Sequence, residues 1–170
     1  MQDDLRGKAA LVTGGSRGIG RAIAVKPLAD CTEEDYERIF ATNAKGLFLT
    51  LREAARRLND GGRIIVLSTG GTKLFFPDQS LYLGSKGAAE QFVRSLSWEL
   101  ARRGVTVNAI SPGPTETDMM QDRYRDRAAA LSPFNRIGDP ADVAEIAVFL
   151  AGEAGRWVTA QNIGAGGGAF

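Results

Sequence analysis

Tyr82 and Lys86 stand four residues apart in a chain of 170 residues that has no histidine. In a helix, positions i and i+4 share a face, so the stretch Leu81-Tyr82-Leu83-Gly84-Ser85-Lys86 would bring a phenol and an ammonium together. A phenol ionises near ~10 and is a poor base at neutral pH. A nearby positive charge favours the phenolate and lowers that value. Tyr-x-x-x-Lys is therefore a route to proton transfer at an alcohol or carbonyl oxygen without histidine. Alone the pattern is weak, and its weight comes from the elements around it.

The first of these is a glycine loop. Lys8-Ala9-Ala10-Leu11-Val12-Thr13 is a short apolar run of strand type, and Gly14-Gly15-Ser16-Arg17-Gly18-Ile19-Gly20 follows it. Arg21-Ala22-Ile23-Ala24-Val25 then begins a helix. Strand, glycine loop and helix in that order is the context of a dinucleotide-binding loop. Backbone amides at such a helix start can hold a pyrophosphate, and glycine lets it come close. Lys26-Pro27 cuts this helix short, because proline disfavours helical geometry in the residue before it.

The rest of the chain alternates helices and strands. Thr32-Glu33-Glu34-Asp35 reads as an N-cap with acids in the first turn, opening a helical segment that runs to about Leu58. Asn59-Asp60-Gly61-Gly62 is a turn and residues 63–68 a buried strand. A loop over 69–80 leads into the Tyr82 helix, which runs to about Arg103 with Phe92, Leu96 and Leu100 on one face. Residues 105–110 form the next strand, Asp139-Pro140 opens a late helix, and Arg156-Trp157-Val158-Thr159 reads as a last strand before a glycine-rich tail. The alternation argues for an α/β parallel sheet in a single domain over 1–170.

Composition excludes several classes. With no histidine and the single cysteine Cys31, an intrachain disulfide is ruled out, the usual zinc site is argued against, and hydrolases that need a histidine base are excluded. A net charge of +1, with both signs mixed along the chain, points to neither nucleic acid nor an anionic membrane. The polar start shows no signal peptide and no apolar run reaches the length of a span, so the expected location is the cytoplasm.

Taken together the motifs resemble the short-chain dehydrogenase/reductase family. The matching elements are Thr13-Gly14-x-x-x-Gly18-x-Gly20, Asn43-Ala44-x-Gly46, Tyr82-x-x-x-Lys86, Asn108 before Pro112-Gly113, Thr117 with Met119, and the stretch from Gly138 to Ala144. The resemblance implies a Rossmann-like doubly wound parallel sheet and hydride transfer between NAD(P)(H) and a small carbonyl/alcohol substrate. It implies that Tyr82 is the acid/base, that Lys86 lowers its pKa and holds the nicotinamide ribose, and that Asn43, at a kink in its helix, anchors a relay water. A hydroxyl near the end of the 64–68 strand would polarise the carbonyl. Thr69 has the family's spacing to Tyr82, whereas Ser68 has the residue type one place early and is preferred on that ground. Strand neighbours point to opposite faces, so only one of the two is expected to face the site.

The resemblance further assigns Thr13, Gly14, Ser16, Arg17, Gly18, Ile19 and Gly20 to the cofactor. Arg17 leans the choice toward NADP, with NAD the alternative, since arginine can grip a 2′-phosphate bidentately. Pro112, Gly113, Thr115 and Thr117 would line the nicotinamide and pyrophosphate. The substrate loop would be 118–133, and Met119, Met120, Leu74, Phe75 and Phe76 are candidates for an apolar pocket. The helices around Asn43 and Tyr82 resemble the family's subunit contacts, which implies a homodimer or homotetramer.

One departure is large. Between Val25 and Lys26 the family would carry the rest of the first helix, two further strands with their helices, and an Asn-Asn-Ala-Gly turn. Two such units correspond to roughly 60–70 residues. They include the residue that selects NAD or NADP and half of the adenine pocket. Either the numbering runs across an unseen segment of a longer protein, or the deletion is real. In the second case the sheet is expected to expose apolar faces and unpaired edges.

Overall fold

The computed structural model describes residues 10–13, 26–117, 120 and 122–170. The glycine loop from Gly14 to Gly20, including Ser16, Arg17, Gly18 and Ile19, lies outside the described residues, as do the 25/26 junction and Met119. Four parallel strands form one sheet in the order β1 (Ala10–Thr13), β2 (Arg63–Leu67), β3 (Thr106–Pro112) and β4 (Asn162–Ala165). β1 pairs directly with β2, Ala10 opposite Arg63 and Thr13 opposite Val66. Residues 14–25 are all that separates Thr13 from Lys26, too little chain for further strand–helix units. The sheet is therefore a Rossmann-like arrangement that lacks the second and third strand units, and among the described residues β1 stands at its edge.

The expectation of exposed apolar faces does not hold at β2 and β3. Successive side chains of a strand point to opposite faces. Ile64, Val66, Val107 and Ala109 face α2 (Leu47–Arg57) and α3 (Ser80–Leu100), packing on Leu47, Leu51, Ala89, Val93, Leu96 and Leu100. Ile65 and Ile110 face the other way onto Leu150 and Ala151 of α5 (Pro140–Ala151), with Val143, Ile146 and Ala147 beside them. One helical layer on each side hides both faces. Each large aliphatic side chain so buried contributes about 1.5–3 kcal/mol.

The segment that carries Asn43 starts where its sequence says it should. Thr32 accepts from the Asp35 amide and Asp35 accepts from the Thr32 amide, a capping box that opens α1 (Glu33–Phe40). The half-exposed Lys26 ammonium pairs with the Asp35 carboxylate, and the Lys26 amide donates to the carbonyl of Asp78 at 2.8 Å. The two links tie the entry to α1 to the loop that precedes α3. From Ala41 to Gly46 the helix widens into a π-helical turn before α2 continues it.

The last strand differs from the sequence reading: it is not 156–159 but Asn162–Ala165. A short 3-10 turn over Glu153–Gly155 precedes it, the Val158 amide donates back to Gly155, and Ala160 takes a left-handed φ of 61°. Residues 156–159 are consumed by this reversal, and the glycine-rich tail supplies the strand. Between Thr115 and Pro140, among the described residues, a 3-10 turn, Asp122–Tyr124, and the short α4 (Arg125–Ala129) are the regular elements. Among the described residues no helix is long and apolar enough to cross a membrane.

Candidate active site

The candidate residues converge at the carboxyl ends of β2 and β3. In open parallel sheets this edge is where ligands bind. Parallel pairing of Leu67 with Ile110 places the chain leaving β2 beside the chain leaving β3. The first brings Ser68 and Thr69, the second Pro112, Gly113 and Thr115.

Tyr82 and Lys86 both lie in the first half of α3, partly buried. The Lys86 ammonium sits 6.0 Å from the centre of the Tyr82 ring, and one of its N–H bonds donates to the carbonyl of Leu67 at 3.0 Å. The sequence reading expected this ammonium to lower the phenol's pKa. The structure shows the opposite direction: burial raises Tyr82 above its ordinary value, and only a hydrogen bond from the Thr69 side chain works against it. Lys86 is directed at the strand end rather than at the phenolic oxygen, so its charge does little there. Burial lowers the pKa of Lys86 itself, and the nearby Glu90 carboxylate opposes that shift.

The two candidate hydroxyls do not divide between opposite faces, as strand alternation suggested. β2 ends at Leu67, and a 3-10 turn over Gly70–Lys73 begins just after Thr69, so the period of two stops there. Both side chains reach α3, at different heights. The Thr69 hydroxyl meets Tyr82 and accepts from the Gly71 amide at 3.2 Å. The buried Ser68 hydroxyl donates to Glu90 Oε1 at 2.6 Å.

Asn43 lies in the π-helical turn, the local widening that stands where the kink was expected. Its Nδ2 donates to Ser85 Oγ at 3.0 Å, and Ser85 Oγ donates to the carbonyl of Tyr82 at 2.7 Å. Ser85 is fully buried. Asn43 thus reaches the Tyr82 turn through a hydroxyl that the sequence did not single out.

Gly113 and Thr115 follow β3. The Gly113 amide donates to Ala165 at 3.0 Å, and Thr115 Oγ1 donates to the Gly113 carbonyl at 3.0 Å. Thr115 also bridges to Gly138 at the entry to α5. This turn walls a cleft of about 260 Å³ whose other sides include Phe134, Ile146 and Gly166. Thr117 follows as an exposed residue, and Leu74 and Phe76 are partly buried whereas Phe75 is fully exposed. The Phe170 ring covers Gly70, Gly164 and Gly166, and a Cβ on Gly70 would run into its Cε1.

Glu90, Thr72 and Ser85 are the polar groups of this site that motif reasoning passed over. Glu90 carried a readable signal: it stands four residues after Lys86 and eight after Tyr82, on the same helical face.

A family model described as enoyl-(acyl carrier protein) reductase matches residues 14–169. A short-chain dehydrogenase/reductase of Pestalotiopsis microspora is 42% identical over a 157-residue alignment that covers 83% of this chain and 59% of that protein. The versicolorin reductase stcU of Emericella nidulans is 40% identical, with 83% of this chain and 60% of the relative covered. Among solved structures, the angucycline C-6 ketoreductase LanV with bound NADP superposes with a TM-score of 0.85 at 36% identity, covering 94% of this chain and 62% of that one. The chain thus spans about three fifths of the length of these relatives. With its motifs, its parallel sheet and these matches in agreement, the chain belongs to the short-chain dehydrogenase/reductase family.

Proposed function

We propose that the protein is an NADP-dependent oxidoreductase that reduces a carbonyl to an alcohol, with Tyr82, Lys86, Thr69 and Asn43 as its working residues. The observation that carries the reading is the Tyr82 phenol on one helical face with Lys86, whose ammonium stands 6.0 Å from the ring and is bound to the end of β2, the strand that leads into Thr69. The donor set fits the cofactor: the ammonium of Lys86 spends one N–H on Leu67 and has others to offer a ribose hydroxyl. Gly113 and Thr115 lie at the same edge of the sheet and would border the nicotinamide. When bound, the nicotinamide supplies the hydride that reaches the carbonyl carbon.

The chain's own part is the proton. As the C=O bond is reduced, Tyr82 gives its phenolic proton to the substrate oxygen, and Thr69 stabilises the phenolate left behind. Burial raises the pKa of the phenol and so favours the protonated form that a proton donor needs. Ser68 has the residue type expected of the polarising hydroxyl, but its bond to Glu90 favours Thr69 for that role.

The direct test is turnover of NADPH with a panel of ketones, followed by Tyr82→Phe. The expected outcome is loss of at least about two orders of magnitude in kcat, the usual contribution of a positioned acid. Survival of turnover in Tyr82→Phe removes the phenol from the mechanism. A second reading, a binding protein that keeps the fold without catalysis, is favoured by one observation: among the described residues β1 is an edge strand, with no second and third strand units beyond it to complete an adenine pocket. Absence of NADPH binding by the parent chain in calorimetry would select it.

A further inference from the structure

Glu90 makes contacts that its place on the helix does not require. Its Oε1 accepts from Ser68 Oγ at 2.6 Å and from Thr72 Oγ1 at 2.7 Å. Hydroxyl bonds of this length to a carboxylate oxygen are charge-assisted and among the stronger ones available. The two donors bracket Thr69 and the start of the Gly70–Lys73 turn. One oxygen on α3 therefore gathers both arms of the turn that carries the Thr69 hydroxyl. One helical turn back, Lys86 holds the Leu67 carbonyl, so the segment leaving β2 is pinned to α3 at three points.

We propose that Glu90 is a positioning residue whose carboxylate fixes the 68–72 turn, and with it the Thr69 hydroxyl, against the face of α3 that carries Tyr82. The placement follows from spacing. Tyr82, Lys86 and Glu90 are successive steps of four along α3, and their partners Thr69, Leu67 and the Ser68–Thr72 pair all lie in the segment leaving β2. Without the carboxylate, Ser68 keeps a buried hydroxyl with no anchor, and the turn is free to move off Tyr82. This role rests on the catalytic reading only for its effect on turnover; the hydrogen bond between Thr69 and Tyr82 is measurable without it.

The test has two readouts on three proteins, Glu90→Leu, Glu90→Gln and the double variant Ser68→Ala with Thr72→Val. The first readout is the alkaline ultraviolet titration of Tyr82, isolated by subtracting the same titration in a Tyr82→Phe background. The Thr69 bond lowers the phenol's pKa, so its loss in Glu90→Leu and in the double variant should move ionisation to higher pH. Glu90→Gln keeps an acceptor oxygen and should stay near the parent. The second readout is steady-state reduction, where kcat should fall about tenfold or more in Glu90→Leu with KM for NADPH unchanged, as expected when a reacting group is displaced slightly. If Glu90→Leu does not fold, the double variant carries the same prediction. An unchanged Tyr82 titration in the double variant, or in a folded Glu90→Leu, overturns the proposal. A parent with no turnover on any ketone sinks the catalytic reading, and the Tyr82 titration then decides the role of Glu90 alone.

Discussion

Asn43 and Ser85, forty-two residues apart in sequence, meet through a 3.0 Å hydrogen bond from the amide to the hydroxyl. Ser85 in turn donates to the carbonyl of Tyr82, so the π-helical turn and the Tyr82 turn share one polar connection inside the protein. Helix widening places Asn43 for this contact, and the full burial of Ser85 makes it costly to lose.

Replacing Ser85 with Ala leaves the Asn43 amide without its acceptor. Asn43 is only partly buried, so the loss should lie near the low end of the about 1–3 kcal/mol that a buried polar group costs when deprived of its partner. Urea unfolding of Ser85→Ala should show that loss in the midpoint with no change in the m-value. A stability equal to the parent's would mean that Asn43 has another acceptor and that the connection is incidental.

How much of this was legible beforehand follows from range. The N-cap at Thr32 with acids in the first turn, the Asp139-Pro140 helix start and the Tyr82–Lys86 face are local patterns, and the structure carries each of them. What the sequence did not disclose depends on where an element stops. Ser68 was preferred by type, but its partner is decided by β2 ending at Leu67 and by a glutamate twenty-two residues later. The direction of the Tyr82 shift was misread because spacing reports proximity of Lys86 but neither the burial of the phenol nor the pull of the Leu67 carbonyl. The last strand was misplaced because Trp157 and Val158 look more strand-like than a glycine run. Yet Ser111 Oγ donates to Asn162 Oδ1 at 2.6 Å and fixes the pairing one segment later.

Tyr82 and Lys86 make opposite contributions to stability as pH rises. The folded pKa of Tyr82 is raised above its ordinary 10.0, so its contribution is fully present below that pH and is lost as pH climbs through the folded value. The folded pKa of Lys86 is lowered from 10.5, so the folded form binds its proton less well than the unfolded chain. Its contribution is complete above 10.5 and falls away as pH drops through the folded value. Thermal melts of Tyr82→Phe should therefore decline less steeply than the parent's above pH 10. Lys86→Met should gain on the parent, in relative terms, as pH falls from 10.5 toward neutrality. Parallel pH curves for parent and Tyr82→Phe would mean that the phenol is not held protonated by the fold.

Gly113 tests how tightly the ends of β3 and β4 are packed. A Cβ built there would stand 2.7 Å from the Cα of Gly166 and 3.4 Å from its carbonyl oxygen, both backbone atoms that no rotamer change can move. The Gly113 amide also donates to Ala165, so the strand ends cannot separate without losing that bond. Gly113→Ala should destabilise by about 1–3 kcal/mol, the usual cost of forcing an extra methyl into a packed site. It should also turn Thr115 away from the cleft, because Thr115 Oγ1 is held by the carbonyl of Gly113 itself. Turnover and NADPH affinity should fall together, since the residues proposed to border the nicotinamide move with that turn. By contrast, a Cβ on Gly87 meets nothing within 4 Å, and Gly87→Ala on the same helix as Tyr82 should be neutral or slightly stabilising. Chemical denaturation of the two variants side by side checks the contrast, and equal stabilities would show that the 113–166 approach is looser than these distances state.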